Sequence, residues 1–65
     1  MKVVIRDGGL NFVTGSEKEM EYISNACPVG VVARDVVNGL MVTGSKEKLF
    51  DLLLAVCAKY DVDLV

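Results

Sequence analysis

The chain contains no histidine and no tryptophan, only one proline, two cysteines and four aromatic residues. Each shortage removes a class of function. Without histidine the usual general base near neutral pH is missing. Ser–His–Asp or Cys–His catalysis therefore cannot be assembled within one chain, and no catalytic residue is expected. A structural zinc site draws on about four Cys or His ligands. Cys27 and Cys57 cannot supply them, so neither a metal nor another cofactor is expected. No apolar run reaches the roughly 18 residues needed to span a bilayer, so no membrane partner is expected. Positive charge is also in short supply. Seven basic residues face nine acidic ones, a formal net charge of -2, and generic nucleic-acid binding, which calls for a basic footprint, is disfavoured.

Cys27 and Cys57 could make one bridge, but only their even number supports it. Met1-Lys2-Val3-Val4-Ile5 runs straight into Arg6 and Asp7, which is not the pattern of a secretory leader. A cytoplasmic location is the expectation, and thiols there are normally reduced. Each cysteine falls near the end of an apolar helical stripe, where cysteine behaves as a small hydrophobe. Both are expected to be buried and inert.

Apolar residues are plentiful. They make up 52% of the chain, with twelve Val and seven Leu among them. That is too apolar, at too low a net charge, for a disordered chain. With 65 residues in total, a single domain is expected. A domain this small buries only about 60% of the surface its unfolded chain exposes. Such domains usually rely on a disulfide, a metal or a partner subunit for extra stability.

Lys2–Asp7 is rich in β-branched residues and reads as a strand. Gly8-Gly9 is a hairpin signal, and Leu10–Thr14 is the return strand. A Gly8-Gly9 loop pairs Ile5 with Phe12 and Val3 with Thr14. Val3, Ile5, Leu10 and Phe12 then share one face. Ser16 with Glu19 three residues on forms a capping box. It opens a helix over Glu17–Ala26 whose stripe is Met20, Ile23, Ala26 and Cys27. Pro28 stops it. Gly30–Asp35 is the next strand, Asn38-Gly39 a strong turn signal, and Leu40–Thr43 its partner. Gly44-Ser45 opens a second helix from Lys46 to about Tyr60, with Leu49, Leu52, Leu53, Val56 and Tyr60 as its main stripe. Residues 61–65 read as a short edge strand.

The two halves, 1–27 and 29–60, look alike. Val3-Val4-Ile5-Arg6-Asp7 lies over Val31-Val32-Ala33-Arg34-Asp35 at an offset of 28. Phe12-Val13-Thr14-Gly15-Ser16 lies over Met41-Val42-Thr43-Gly44-Ser45 at an offset of 29. A duplicated β-β-α unit explains both. The repeat and the Asn38-Gly39 turn disagree about register, however. A two-residue Asn-Gly loop turns Leu40 and Val42 inward, whereas strict repeat correspondence turns Met41 inward. A three-residue loop with a bulge reconciles the repeat with its extra residue and is the preferred expectation.

The order ββαββα implies an α+β two-layer sandwich, an antiparallel sheet with two helices on one face. Strand order 1-2-4-3, a permuted ferredoxin-like plan, is preferred over the alternative 2-1-3-4. That analogy carries no function.

Apolar residues are left over on this plan. Val4, Val13 and Val32 point away from the helices, and Phe50, Leu54 and Cys57 form a second row on the second helix. Val4, Val13, Val32, Phe50 and Leu54 are therefore candidate interface residues. They favour a homo-oligomer, a dimer above all, or another protein partner. Gly15, Ser16 and Lys18 at the first helix start, with Gly44, Ser45 and Lys46 at the second, are candidate anion-binding residues. Helix N-termini attract anions, although plain N-capping explains Ser16 and Ser45 as well. The expected function is a small, non-enzymatic protein-interaction or regulatory module. Alternatives are an anionic-ligand-binding domain using both helix starts, and a nucleic-acid-binding sheet face with Lys2, Arg6 and Arg34.

Overall fold

Seven elements follow one another along the chain: β1 (Lys2–Arg6), β2 (Gly9–Val13), α1 (Glu17–Ala26), β3 (Val32–Val36), β4 (Gly39–Thr43), α2 (Lys46–Lys59) and β5 (Asp63–Leu64). The structure, a computed structural model, describes every residue from Met1 to Val65. The helix starts fall where serine can cap them. Ser16 and Ser45 are the N-caps, and their side chains accept from the backbone N–H groups of Glu19 and Lys48. The first helix stops at a Cys27 C-cap in extended conformation, the geometry that Pro28 imposes on the residue before it.

Both hairpins close on two-residue loops set one position earlier than the turn signals suggest. Arg6 pairs with Gly9, so the first loop is Asp7-Gly8 rather than Gly8-Gly9. Ile5 then faces Leu10 and Val3 faces Phe12. The slip from the expected register is two residues. Side chains alternate with period two, so the same four still share a face. Val36 pairs with Gly39, making Val37-Asn38 the second loop. Ala33 faces Val42 and Asp35 faces Leu40. Leu40 and Val42 thus point inward, with 2% and 0% of their surface exposed, while Met41 is outward and only half-buried. This overturns the bulged three-residue loop with Met41 inside. The reason lies in Gly39. A Cβ there would stand 1.9 Å from the Phe12 carbonyl oxygen. The glycine is needed for close approach of two backbones inside the sheet, so it is not free to serve as a loop residue.

The five strands form one sheet in the order β3-β4-β2-β1-β5. Leaving β5 aside, this is the 1-2-4-3 arrangement of a permuted ferredoxin-like plan. The four long strands are antiparallel, but β5 runs parallel to β1, pairing Lys2 with Asp63 and Val3 with Leu64. The sheet is therefore mixed rather than purely antiparallel. The core joins Val3, Leu10, Phe12, Leu40 and Val42 from the sheet to Ile23 of α1 and Leu49, Leu52 and Val56 of α2. Both helices thus cover one sheet face, and the other face carries no layer. Each buried Val, Leu, Ile or Phe contributes about 1.5–3 kcal/mol.

The architecture repeats as two ββα units. Lys2 corresponds to Val32 and Gly9 to Gly39, an offset of 30, while the N-caps Ser16 and Ser45 differ by 29. The strand identities, at offsets of 28 and 29, are therefore out of step with the equivalence of the folded units. The two units are tied crosswise. The N–H of Thr14 donates to the carbonyl of Asn38 at 3.0 Å, and that of Gly44 to the carbonyl of Gly8 at 3.4 Å. The turn of each unit thus holds the chain just before the helix of the other.

Candidate functional site

The two helix starts lie at opposite ends of the sheet. β2 and β4 are antiparallel, with Val13 beside Gly39 at one end and Gly9 beside Thr43 at the other. Gly15 and Ser16 follow the first end, Gly44 and Ser45 the second. The six candidate anion-binding residues are therefore split into two threes that do not converge. At the first, the Ser16 Oγ accepts from the Glu19 N–H at 3.3 Å, and the Ser16 N–H donates to the Thr14 Oγ1 at 3.1 Å. The Thr14 hydroxyl donates to the Glu19 carboxylate. This replaces the expected capping box, in which Glu19 would reach back to the Ser16 N–H. Thr14, two residues before the cap, is in reach of both partners, and it carries a donor and an acceptor on one oxygen. Two carboxylates, Glu17 and Glu19, already occupy this first turn. Lys18 is exposed and lines a different hollow, with Tyr22, Asn25, Lys59 and Tyr60.

At the second start, the Ser45 Oγ accepts from the Lys48 N–H at 3.4 Å. Lys48 turns its ammonium to the Val29 carbonyl. Lys46 is exposed and lines a hollow of about 340 Å³. That hollow is mainly apolar. Ile5, Leu10, Leu49, Phe50 and Leu53 form its floor and walls, with Arg6 and Asp7 at the turn. Ile5 is on the inner sheet face as its alternation requires, yet it is 61% exposed. α2 borders that edge of the sheet but leaves Ile5 open. Phe50 is 59% exposed and Leu54, one turn on, 52%. Leu64 of β5 stands beside Val3 and is 59% exposed. Ile5 and Leu64 were not among the sequence candidates. Alternation gives a residue's face, but not whether a helix reaches far enough to cover it.

The interface candidates divide between two sides of the molecule. Val4 and Val13 lie half-buried and Val32 exposed on the uncovered sheet face, joined there by Val36 and Met41. Phe50 and Leu54 lie on the helical side. Near the middle of the sheet face sits Asn11, only 7% exposed, opposite Val4 and Met41. Its Nδ2 donates to the Leu40 carbonyl at 3.2 Å.

Neither cysteine is a fully buried hydrophobe. Cys27 is half-buried, its thiol donates to the Ile23 carbonyl, and burial pushes its pKa above the ordinary 9.0. Cys57 is exposed, because the second row of α2 faces away from the core. Both are free thiols. Tyr22 and Tyr60 meet edge to face with ring centroids 5.6 Å apart, and the Lys59 ammonium lies 5.1 Å from the Tyr22 ring centre. No group of three Cys, Asp or Glu side chains is placed to hold a metal ion. No helix is long and apolar enough to cross a membrane.

No protein-family model, curated protein or solved structure matches this chain.

Proposed function

We propose that this protein is a non-enzymatic interaction module that associates with a second copy of itself through the edge where α2 meets β1 and β5. One observation carries this reading: Ile5 of β1 and Phe50 of α2 line one apolar hollow and are both more than half exposed, as are Leu54, one turn along α2, and Leu64 of β5, the strand beside β1. Exposed apolar residues grouped in this way are the usual mark of an interaction surface. The anion-binding alternative keeps only two separate helix starts, each already occupied by a serine cap and one by two carboxylates.

Light scattering or sedimentation at micromolar concentration tests the reading. The expected particle has twice the 7.0 kDa mass of the chain. Phe50→Glu and Leu54→Glu, both on the solvent side of α2, are expected to return it to a monomer without unfolding it. A 7.0 kDa particle for the unaltered chain, or a dimer indifferent to both substitutions, overturns it.

A further inference from the structure

The uncovered sheet face differs in charge from the rest of the molecule. Its outward positions carry three basic residues, Lys2, Arg6 and Arg34, and one acidic residue, Asp63, which the register places beside Lys2. The face therefore holds a formal charge of +2 in a chain of net charge -2, leaving -4 for everything else. Both arginines of the protein lie there. Between them are apolar Val4, Val13, Val32, Val36 and Met41. The relief is uneven. Gly39 puts no side chain between Val13 and Val36, and a hollow of about 660 Å³ opens beside it at the end of the sheet, bounded by Lys2, Asp63, Thr14 and Met20 of α1. A second hollow of about 100 Å³ lies among Val32, Arg34, Met41 and Thr43.

We propose that this face is a docking site for an acidic protein segment whose carboxylates are interspersed with apolar side chains. Arg6 and Arg34, near opposite edges of the face, would receive carboxylates, and the hollow beside Lys2 an apolar side chain. Arg6 lies opposite Gly9, with no cross-strand side chain to engage its guanidinium. Charge complementarity selects this occupant over two others. A second copy stacked face to face by a two-fold axis brings basic groups against basic groups, and like charges across an interface are costly. A single-stranded nucleic acid needs aromatic platforms for its bases. None of the four aromatic residues is on this face: Phe12 is in the core and Tyr22, Phe50 and Tyr60 belong to the helical layer.

The test is a titration of isotope-labelled protein with a short synthetic peptide of alternating Glu and Leu. Two controls accompany it: the same peptide with Lys for Glu, and an oligothymidylate. Amide shifts are expected at Val4, Asn11, Val32 and Met41 with the Glu-Leu peptide. The affinity should fall with added salt and weaken roughly tenfold or more in the double variant Arg6→Glu, Arg34→Glu. Both substituted side chains are exposed, so the fold is not at risk. Absence of shifts, shifts confined to the helices, equal binding of the Lys-Leu peptide, or tighter binding of the oligothymidylate each overturns the proposal. So does movement of the same amides on diluting the free protein, which would place a second copy on this face. Particle mass read on the same samples separates this outcome from the dimer reading. A monomer that binds the peptide removes only the dimer, and a dimer that ignores the peptide removes only the docking site.

Discussion

Gly9 and Gly39 begin the two central strands, and each lies against the backbone of the other strand. A Cβ on Gly9 would stand 2.8 Å from the Val42 carbonyl oxygen, and one on Gly39 1.9 Å from that of Phe12. Gly39 also has φ of +149°, a conformation that L side chains rarely adopt. Gly39→Ala should therefore part β2 from β4 and leave the chain largely unfolded. Gly8→Ala is the control. Gly8 has φ of +71° with nothing within 4 Å of its Cβ position, so only strain of about 1–2 kcal/mol is expected. Urea denaturation followed by far-UV circular dichroism compares the two. Similar losses would contradict the close-approach account.

The first helix start depends on Thr14 more than on the cap alone. Thr14 is 8% exposed and bonded to both Glu19 and the Ser16 N–H. Thr14→Val removes both partners at once and should cost about 1–3 kcal/mol. Ser45→Ala at the second start removes one long cap bond and should cost about 1 kcal/mol or less. Chemical denaturation midpoints rank them. The reverse order would mean that the Thr14–Glu19 contact adds little.

Core substitutions should scale with what they remove. Phe12→Ala is expected to cost about 3–5 kcal/mol and Ile23→Val about 0.5–1.5 kcal/mol. A domain of this size holds roughly 3–10 kcal/mol in all. The first variant should therefore be partly unfolded at ambient temperature and the second fully folded. Thermal melts check both.

The two thiols should differ in reactivity and in their link to stability. Exposed Cys57 should be alkylated well before Cys27, whose pKa burial raises. Timed alkylation with peptide mass analysis reads the order directly. A thiol whose folded pKa lies above its unfolded value favours folding fully only below the unfolded value. That contribution is lost as pH rises through the folded value. Stability should thus fall as pH climbs past about 9, and Cys27→Ser should flatten that part of the profile. An unchanged slope in the variant would assign the fall to other groups.

Several features were readable from residue order. α1 was expected over Glu17–Ala26 and occupies it, because a capping serine and a following proline bracket its apolar stripe. The inward set Val3, Ile5, Leu10 and Phe12 survived a register error, because the error was two residues and faces repeat every two. The second hairpin was harder. Gly39 served as a turn signal in the sequence, yet its role is to let β4 pass close to β2, a contact between strands far apart in sequence.

The sequence by itself determined the element order, the serine caps of both helices, the core face of the first hairpin, the absence of histidine chemistry and the excess of apolar residues. These depend on local propensity and periodicity, which act over a few residues. Tertiary structure alone decided the strand order, the parallel β5, the placing of the two helix starts at opposite ends, and the exposure of Ile5 and Leu64. Those outcomes depend on which strands pair and how far a helix reaches across a sheet, and such contacts are set only once the whole chain has closed.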